Sequence, residues 1–427
     1  MANPKLSHIA MDGTTLDIND AATAAIASKN NTAIISIRTA LNGFDLDGKH
    51  TPGLKDKVAD LQDNVAGLQT DVAGLQTDMD TAQEDMGTAQ EDIASIKSNM
   101  VVSVLSYGAD PTGTNDSATA FADAIAATPV HGTCYIPAGE YRINSTISIT
   151  KPLTLVGNYF GLDPEVYNLN DGTTARTPLL HAYTGITPVV QIQSQGVNLR
   201  NIGIKTHTAG AGIKVIKGTG TATVPRNILL DNVFIDGVKD DGSYLDTAFS
   251  AEQLITSTLR FCRFVFVVNG VSIGSTGSTS TSTSIHFDNC WVESFTGVGY
   301  QLVNAHYSAF TACAADGSPW SNPEYSYAVV DCDSIAFTGC GAERASSAGV
   351  QIVTSTAISV ISHMFIEIPY GVQYSGACQC TMIGCAVVDD NYLANVIGDY
   401  NIIGCKYTKY KDNGTDKTDA NKNHIAT

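Results

Sequence analysis

Three carboxylates stand at the same place in three similar phrases. FDNCWVES (287–294), FTACAADG (310–317) and FTGCGAER (337–344) each run from a Phe through a Cys to an acid three residues beyond it. Glu293, Asp316 and Glu343 are therefore equivalent positions. If each phrase is one turn of a repeating structure, the acids stack in a row. Adjacent strands lie about 4.8 Å apart, which would put neighbouring carboxylates ~5 Å apart and alternate ones ~10 Å apart. Carboxyl pairs at about 5 Å suit retaining glycosidase chemistry, and pairs at about 6.5–9.5 Å suit inversion. Crowded like charges also raise one pKa, which sets an acid beside a base. Glu293, Asp316 and Glu343 are thus the candidate catalytic residues. The architectural alternative is that an acid just after a strand caps turn N–H groups. Counted the same way, Lys205, Asp236, Val265, Glu367 and Val388 occupy the remaining positions, so that four consecutive rungs would carry an acid. A row of acids also suits Ca²⁺, but no stretch here resembles a calcium loop. No metal or other cofactor is expected.

Aromatic residues fall in the same region. Trp291 follows a Cys by one residue and should point outward if that Cys points inward. Trp320, Tyr325 and Tyr327 lie in DGSPWSNPEYSY, a Gly/Ser/Pro-rich stretch that reads as a loop inserted between two turns. Exposed Trp and Tyr rings offer flat faces for sugars, so Trp291, Trp320, Tyr325 and Tyr327, with Glu367, are candidate carbohydrate-binding residues; packing of the loop aromatics against the coil is the competing reading. GVSIGS (270–275) is similar to part of a polygalacturonase phrase, but Val271 stands where that phrase has His, and it is read as ordinary strand. Asp240–Asp241 and Asp389–Asp390 are read as loop acids. His131, His181 and His286 are scattered and read as structural.

The elements that must position these residues follow from a wider repeat. An apolar residue stands three before a second apolar residue or Cys in Leu199/Ile202, Leu230/Val233, Leu259/Cys262, Phe287/Cys290, Phe310/Cys313, Phe337/Cys340, Ile361/Met364, Met382/Cys385 and Ile402/Cys405. The pairs recur every 20–31 residues, the period of a solenoid built of short strands. Most of the ten Cys are accounted for as small, polarizable fillers of an interior ladder, with no need for disulfides or zinc.

Residues 54–100 read differently. Val58, Leu61, Val65, Leu68, Val72, Leu75, Met79, Met86, Ile93 and Ile96 alternate at spacings of three and four, and VAGLQTD occurs twice in succession. Six heptads of this kind specify a coiled coil, so the helix must find copies of itself. The seam leaves dimer against trimer open. The net charge of −18 and the lack of any Lys/Arg cluster exclude a nucleic-acid surface. Neither a signal peptide nor an 18-residue apolar run is found, so no membrane insertion is expected.

The stretch YGADPTGTNDSATAFADAIAAT…GTCYIPAGEYRI (107–143) resembles the opening of the pectate-lyase-like right-handed β-helix family found in phage tail spikes. It departs in having Pro111-Thr112-Gly113 for Gly-Asp-Gly and Asn115-Asp116 for Asp-Asp. In that family the segment caps the solenoid, and Gly-Cys-x-x-Glu phrases form part of the rung turn. Its helix is expected to be capped at Asn115 or Asp116 and to bury Phe121, Ala122 and Ile125. Gly13–Ala21 (GTTLDINDA) resembles the start of tail-associated proteins of phages infecting Gram-positive bacteria.

The resemblance implies the following architecture. Residues 1–53 are a virion-attachment segment contacting a tail or baseplate protein, 54–100 a coiled coil, 101–410 a right-handed parallel β-helix, and 411–427 a loose polar tail. The class is mainly β and the assembly a homotrimer. The implied role is a phage tail spike or fibre, carried on the virion and made in the host cytoplasm, that binds host-surface polysaccharide. The alternatives are a depolymerase (glycoside hydrolase or lyase) using the stacked acids and a purely structural fibre.

Overall fold

The computed structural model describes residues 9–11, 14–16, 28–33, 53–98, 101–158, 178–182, 186, 188–206, 211–216, 224–237, 242–318, 322–388, 391–412, 414–417 and 424–426. The chain divides into two compact units, Met1–Ile96 and Lys97–Thr427. In the first, Ile9–Met11 and Thr14–Leu16 form an antiparallel hairpin, and Gly53–Ser98 is one helix of 46 residues. Within this single chain Val58, Val65, Val72 and Met79 are exposed, while Leu61, Leu68, Leu75 and Met86 are half-buried. The side chains of Ile93 and Ile96 lie outside the described residues. Among the described residues, no helix is long and apolar enough to cross a membrane.

The second unit is a right-handed parallel β-helix. Each full turn contributes strands to three faces. The first face runs through Asn198–Arg200, Leu229–Asp231, Ile255–Arg260, Ser282–Asp288, Ala305–Thr311 and onward. The second continues after a corner through Arg263–Val265, Trp291–Phe295, Ala314–Gly317, Gly341–Glu343 and Met364–Ile366. The third is a sheet of twelve strands, parallel except for its terminal hairpin.

The corner between the first two faces explains the apolar-x-x-Cys spacing. Asn201, Asn232, Phe261, Asn289, Ala312, Gly339, Ser362, Gly384 and Gly404 all occupy it with φ between 51° and 63°. One left-handed residue turns the chain, so the residue two before it and the residue just after it both point inward, while the one between them and the corner itself face solvent. Asn and Gly tolerate this conformation best, and Asn232 Nδ2 donates to Asn201 Oδ1 on the preceding rung at 3.0 Å. The inward column Phe287, Phe310, Phe337 stacks with ring centroids 4.4 and 4.8 Å apart, and Tyr300 stacks on Tyr327 at 5.1 Å. The cysteines are more than fillers. The thiols of Cys290, Cys340 and Cys385 donate to the carbonyls of Leu259, Phe310 and Val360 at 3.3, 3.5 and 3.1 Å, which satisfies carbonyls at the previous corner.

Four expectations are corrected. The ladder member expected at Ile361/Met364 is one residue out: Phe337 pairs with Val360 and Thr338 with Ile361, so Val360 and His363 face inward and Met364 faces solvent. The capping helix, Ala118–Ala127, begins after Ser117, with no side-chain cap from Asn115 or Asp116 in the Ncap position; Asp116 Oδ1 instead accepts from the N–H groups of Ala118 and Asn144. That helix buries Phe121, Ala124 and Ile125, while Ala122 is exposed. Parts of the polar C-terminal stretch, expected to be loose, are paired: Lys409–Asp412 and Thr415–Lys417 form a hairpin, and His424–Ala426 pairs antiparallel with the last first-face strand. Backbone pairing does there what hydrophobic burial could not.

Candidate functional site

The second face carries the acids. Its strands place Lys205, Asp236, Val265, Glu293, Asp316, Glu343 and Ile366 in one register row. Glu293, Asp316 and Glu343 are therefore on adjacent rungs, as their phrases imply. Glu367 is not in the row. The one-residue slip at Val360 puts Ile366 there and leaves Glu367 at the next corner with φ 54°. The run of acids is three rungs long, not four.

Two residues earlier on the same strands lies a parallel row: Arg263, Trp291, Ala314, Gly341, Met364. Trp291 points outward and is 39% exposed. Its indole Nε1–H donates to Asp316 Oδ2 at 2.8 Å, which tilts the ring toward the following rung. The Arg263 guanidinium covers one side of the ring, 4.8 Å from its centroid, and also holds Glu293 Oε2 at 2.6 Å. Arg344 pairs with Glu343 and reaches Glu367 Oε2 through Nε at 2.9 Å. Beyond Trp291 the side chains are small. A Cβ at Gly341 would meet nothing within 4 Å among the described residues, so between Trp291 and Met364 this row carries only the small Ala314 and Gly341, beside the acid row. A shallow cavity of about 370 Å³ adjoins it, lined by Ser318, Asn322, Arg344, Ala345, Ser346 and Glu367 among others.

The electrostatics single out the middle acid. Burial pushes the Asp316 carboxyl up; the hydrogen bond from Trp291 opposes this, and the charges of Glu343 and Glu293 add to it, leaving the pKa at about 6. Two carboxylates held by arginines thus flank one that takes up a proton near neutral pH, an arrangement suited to acid–base work on a bound sugar.

The loop aromatics divide. Tyr327 is fully buried, and its hydroxyl donates to the carbonyls of Cys313 and Gly341 at 3.1 and 3.0 Å; it is a core residue, not a sugar platform. It stands at an inward third-face position paired with Tyr300. Tyr325 is half-buried at the start of the same strand, away from the acid row. Trp320 lies outside the described residues, as do Asp240, Asp241, Asp389 and Asp390. His286 is exposed, and His181 is buried against Glu140. Sequence reasoning missed Arg263 and Arg344, although each is adjacent to a ladder or row residue, and it missed His363.

The family model of rhamnogalacturonase A/epimerase, pectate-lyase-like proteins matches residues 101–176. No curated protein matches the chain. Among solved structures, ORF18 of Geobacillus virus E2 aligns with TM-score 0.55 at 16% identity, covering 78% of this chain and 71% of that one. The gp42 tailspike of Acinetobacter phage vb_AbaP_AS12 aligns with TM-score 0.55 at 12% identity, covering 75% of this chain and 64% of the other. The enzymatically active domain of tailspike protein 2 from bacteriophage CBA120 aligns with TM-score 0.50 at 11% identity, covering 73% and 47%. The present chain thus spans less than two thirds of the latter two. At these identities the likeness establishes the pectate-lyase-like β-helix fold.

Proposed function

We propose that this chain is a phage tail spike whose β-helix binds a polysaccharide of the host cell surface. The observation that carries the reading is Trp291. It is a solvent-facing indole, hydrogen-bonded into the acid row and followed on its own row by the small Ala314 and Gly341. A pyranose presents an apolar C–H face to such a ring and hydroxyls to flanking carboxylates and guanidinium groups. Two proteins of like fold are tailspikes, which supports the same place on a virion. The exposed apolar stripe of the Gly53–Ser98 helix supports assembly of copies, read here as a trimer, with residues 1–53 joining the tail or baseplate. Several copies would add avidity to weak sugar contacts.

Asp316 favours a second reading, depolymerisation. With a pKa of about 6 it would protonate the glycosidic oxygen. Glu293 or Glu343, one rung away at ~5 Å, would act on the anomeric carbon, the spacing of a retaining hydrolase.

One assay separates the two. The protein is incubated with cell-wall and capsular glycans of candidate hosts, and bound glycan, reducing ends and unsaturated-product absorbance are followed. Glu293→Gln, Asp316→Asn and Glu343→Gln run in parallel. Binding without product supports the receptor-binding reading. Product that disappears in a correctly assembled variant supports depolymerisation. No binding to any glycan refutes both.

A further inference from the structure

Nine of the ten cysteines are buried; Cys405 is half-exposed. It stands just past the last first-face strand, and Cys385 is its neighbour on the preceding rung. Gly384 and Gly404 precede the two cysteines with φ 62° and 61°, so both side chains leave the same corner geometry in the same direction. The rungs are in register on either side of the corner: Ile383 pairs with Ile403 before it, and Ala386 with Lys406 after it. In-register strands put paired Cα atoms about 4.8 Å apart, inside the roughly 4.4–6.8 Å that a disulfide spans. The Cys385 N–H donates to Cys405 Sγ at 3.3 Å, and the two thiols hydrogen-bond one another.

The two sulfurs are not equivalent. Cys385 is fully buried and donates to the Val360 carbonyl; its neighbour Cys405 and burial push its thiol up. Cys405 accepts from the Cys385 thiol and backbone N–H, and these hold its own thiol below the usual range against the effect of burial. A nucleophilic sulfur needs thiolate character and access to solvent, and Cys405 has both. The sulfur that resolves the first product needs only to be within reach, as Cys385 is. The earlier cysteines stack on adjacent rungs in the same way but lack access. Cys290, Cys313 and Cys340 are buried, and burial together with neighbouring thiols raises all three.

We propose that Cys405 and Cys385 are a redox-active pair: a hydroperoxide oxidises Cys405, and Cys385 then closes a disulfide that ties the last two rungs together. In the first step the Cys405 sulfur attacks a peroxide oxygen. The S–O bond forms, the O–O bond breaks, and the departing oxygen leaves with the thiol's proton, as water when the oxidant is hydrogen peroxide. In the second step Cys385 attacks the Cys405 sulfenic acid. The S–S bond forms, the S–O bond breaks, and hydroxide leaves with the Cys385 proton as a second water. The two thiols lose two electrons and one peroxide gains them. The bond closes a loop over the final turn and restricts the opening of that end.

The test treats the full chain, purified under reductant and then freed of it, with a few equivalents of hydrogen peroxide. After unfolding and alkylation, two fewer cysteines are expected to be labelled than in the untreated chain, and peptide mapping is expected to join Cys385 to Cys405. Cys385→Ser is expected to stop at a sulfenic acid that a cyclic 1,3-dione captures, and Cys405→Ser to resist the same dose. The unmodified native chain is also titrated with an aromatic disulfide. It is expected to release two equivalents of aromatic thiolate per chain and to keep no aromatic group, because Cys385 displaces the second from Cys405. Amide exchange at Gly398–Ile403 is expected to slow at least threefold on oxidation and to recover with a dithiol reductant. A chain that keeps the aromatic group, or releases none, overturns the proposal. So does a link between other cysteines or between copies, or an exchange rate that oxidation leaves unchanged.

Discussion

Asp316 is where the sequence pattern and the local environment meet. The Phe-x-x-Cys-x-x-acid spacing identified Glu293, Asp316 and Glu343 as one row, because that spacing is fixed by the corner residue. Which of the three would differ was not legible, since it depends on how deeply the fold buries Asp316, against which the Trp291 hydrogen bond works, and on arginines that pair with the other two. The fold raises the Asp316 pKa from 3.8 to about 6, so the folded state favours the protonated carboxyl. The site is therefore most stable below about pH 4 and loses that contribution as pH rises through 6. Chemistry that uses the proton should fall away above pH 6. Asp316→Asn can still accept the Trp291 N–H, so it is expected to keep glycan binding within about threefold while abolishing any product release; binding isotherms beside product assays check this. Glu367 shows how a single slip misleads. In VISHM both Val360 and Ile361 are apolar, and only the rung register distinguishes them.

At the scale of the strand column, the interior is held by stacked rings and by thiols that satisfy corner carbonyls. Phe310 lies between Phe287 and Phe337, and Phe310→Ala is expected to cost about 3–5 kcal/mol, read from denaturant unfolding. His363 interrupts the cysteine column. It is 1% exposed, stacks on Phe365 at 4.4 Å, and neither ring nitrogen has a hydrogen-bond partner among the described residues. Burial pushes its pKa from 6.5 down to about 3, so the folded state holds it neutral. The unfolded chain takes up the proton first, and stability is lost as pH falls below 6.5, by about 2 kcal/mol at pH 5. Replacing it with the residue of its neighbours, His363→Cys, should remove this component, so that the fall in melting temperature between pH 7 and 5 becomes shallower than in the unmodified protein. An equal slope in both would mean that another group governs acid sensitivity. The solenoid itself was legible because the pairs at 199–405 recur with a nearly constant inward pattern. Tyr327 was misread because its surroundings look like a loop, DGSPWSNPEYSY, although the strand Tyr325–Val330 begins inside it.

For the whole molecule, the heptads of 54–100 and the coils after 101 were separable by period alone, and the structure places a single 46-residue helix where the first pattern runs. The closing of the C-terminal end was not legible, because antiparallel pairing by His424–Ala426 uses backbone groups that polar sequence does not advertise. Breaking the helical stripe with Val65→Asp and Val72→Asp is expected to reduce avidity for a surface-bound glycan by at least tenfold while leaving single-site affinity in solution unchanged. Equal loss in both measurements would place the helix in the binding site itself.

In the proposed function, Trp291 and the small residues beside it hold a host-surface glycan. The most direct measurement is the affinity of the assembled protein and of its Trp291→Ala variant for a panel of host cell-wall and capsular oligosaccharides by titration calorimetry. At least one oligosaccharide is expected to bind the unmodified protein and to bind the variant tenfold or more weakly, about 1.4 kcal/mol, with the same melting temperature. A glycan bound equally well by both would place its site elsewhere on the molecule and overturn the assignment of Trp291.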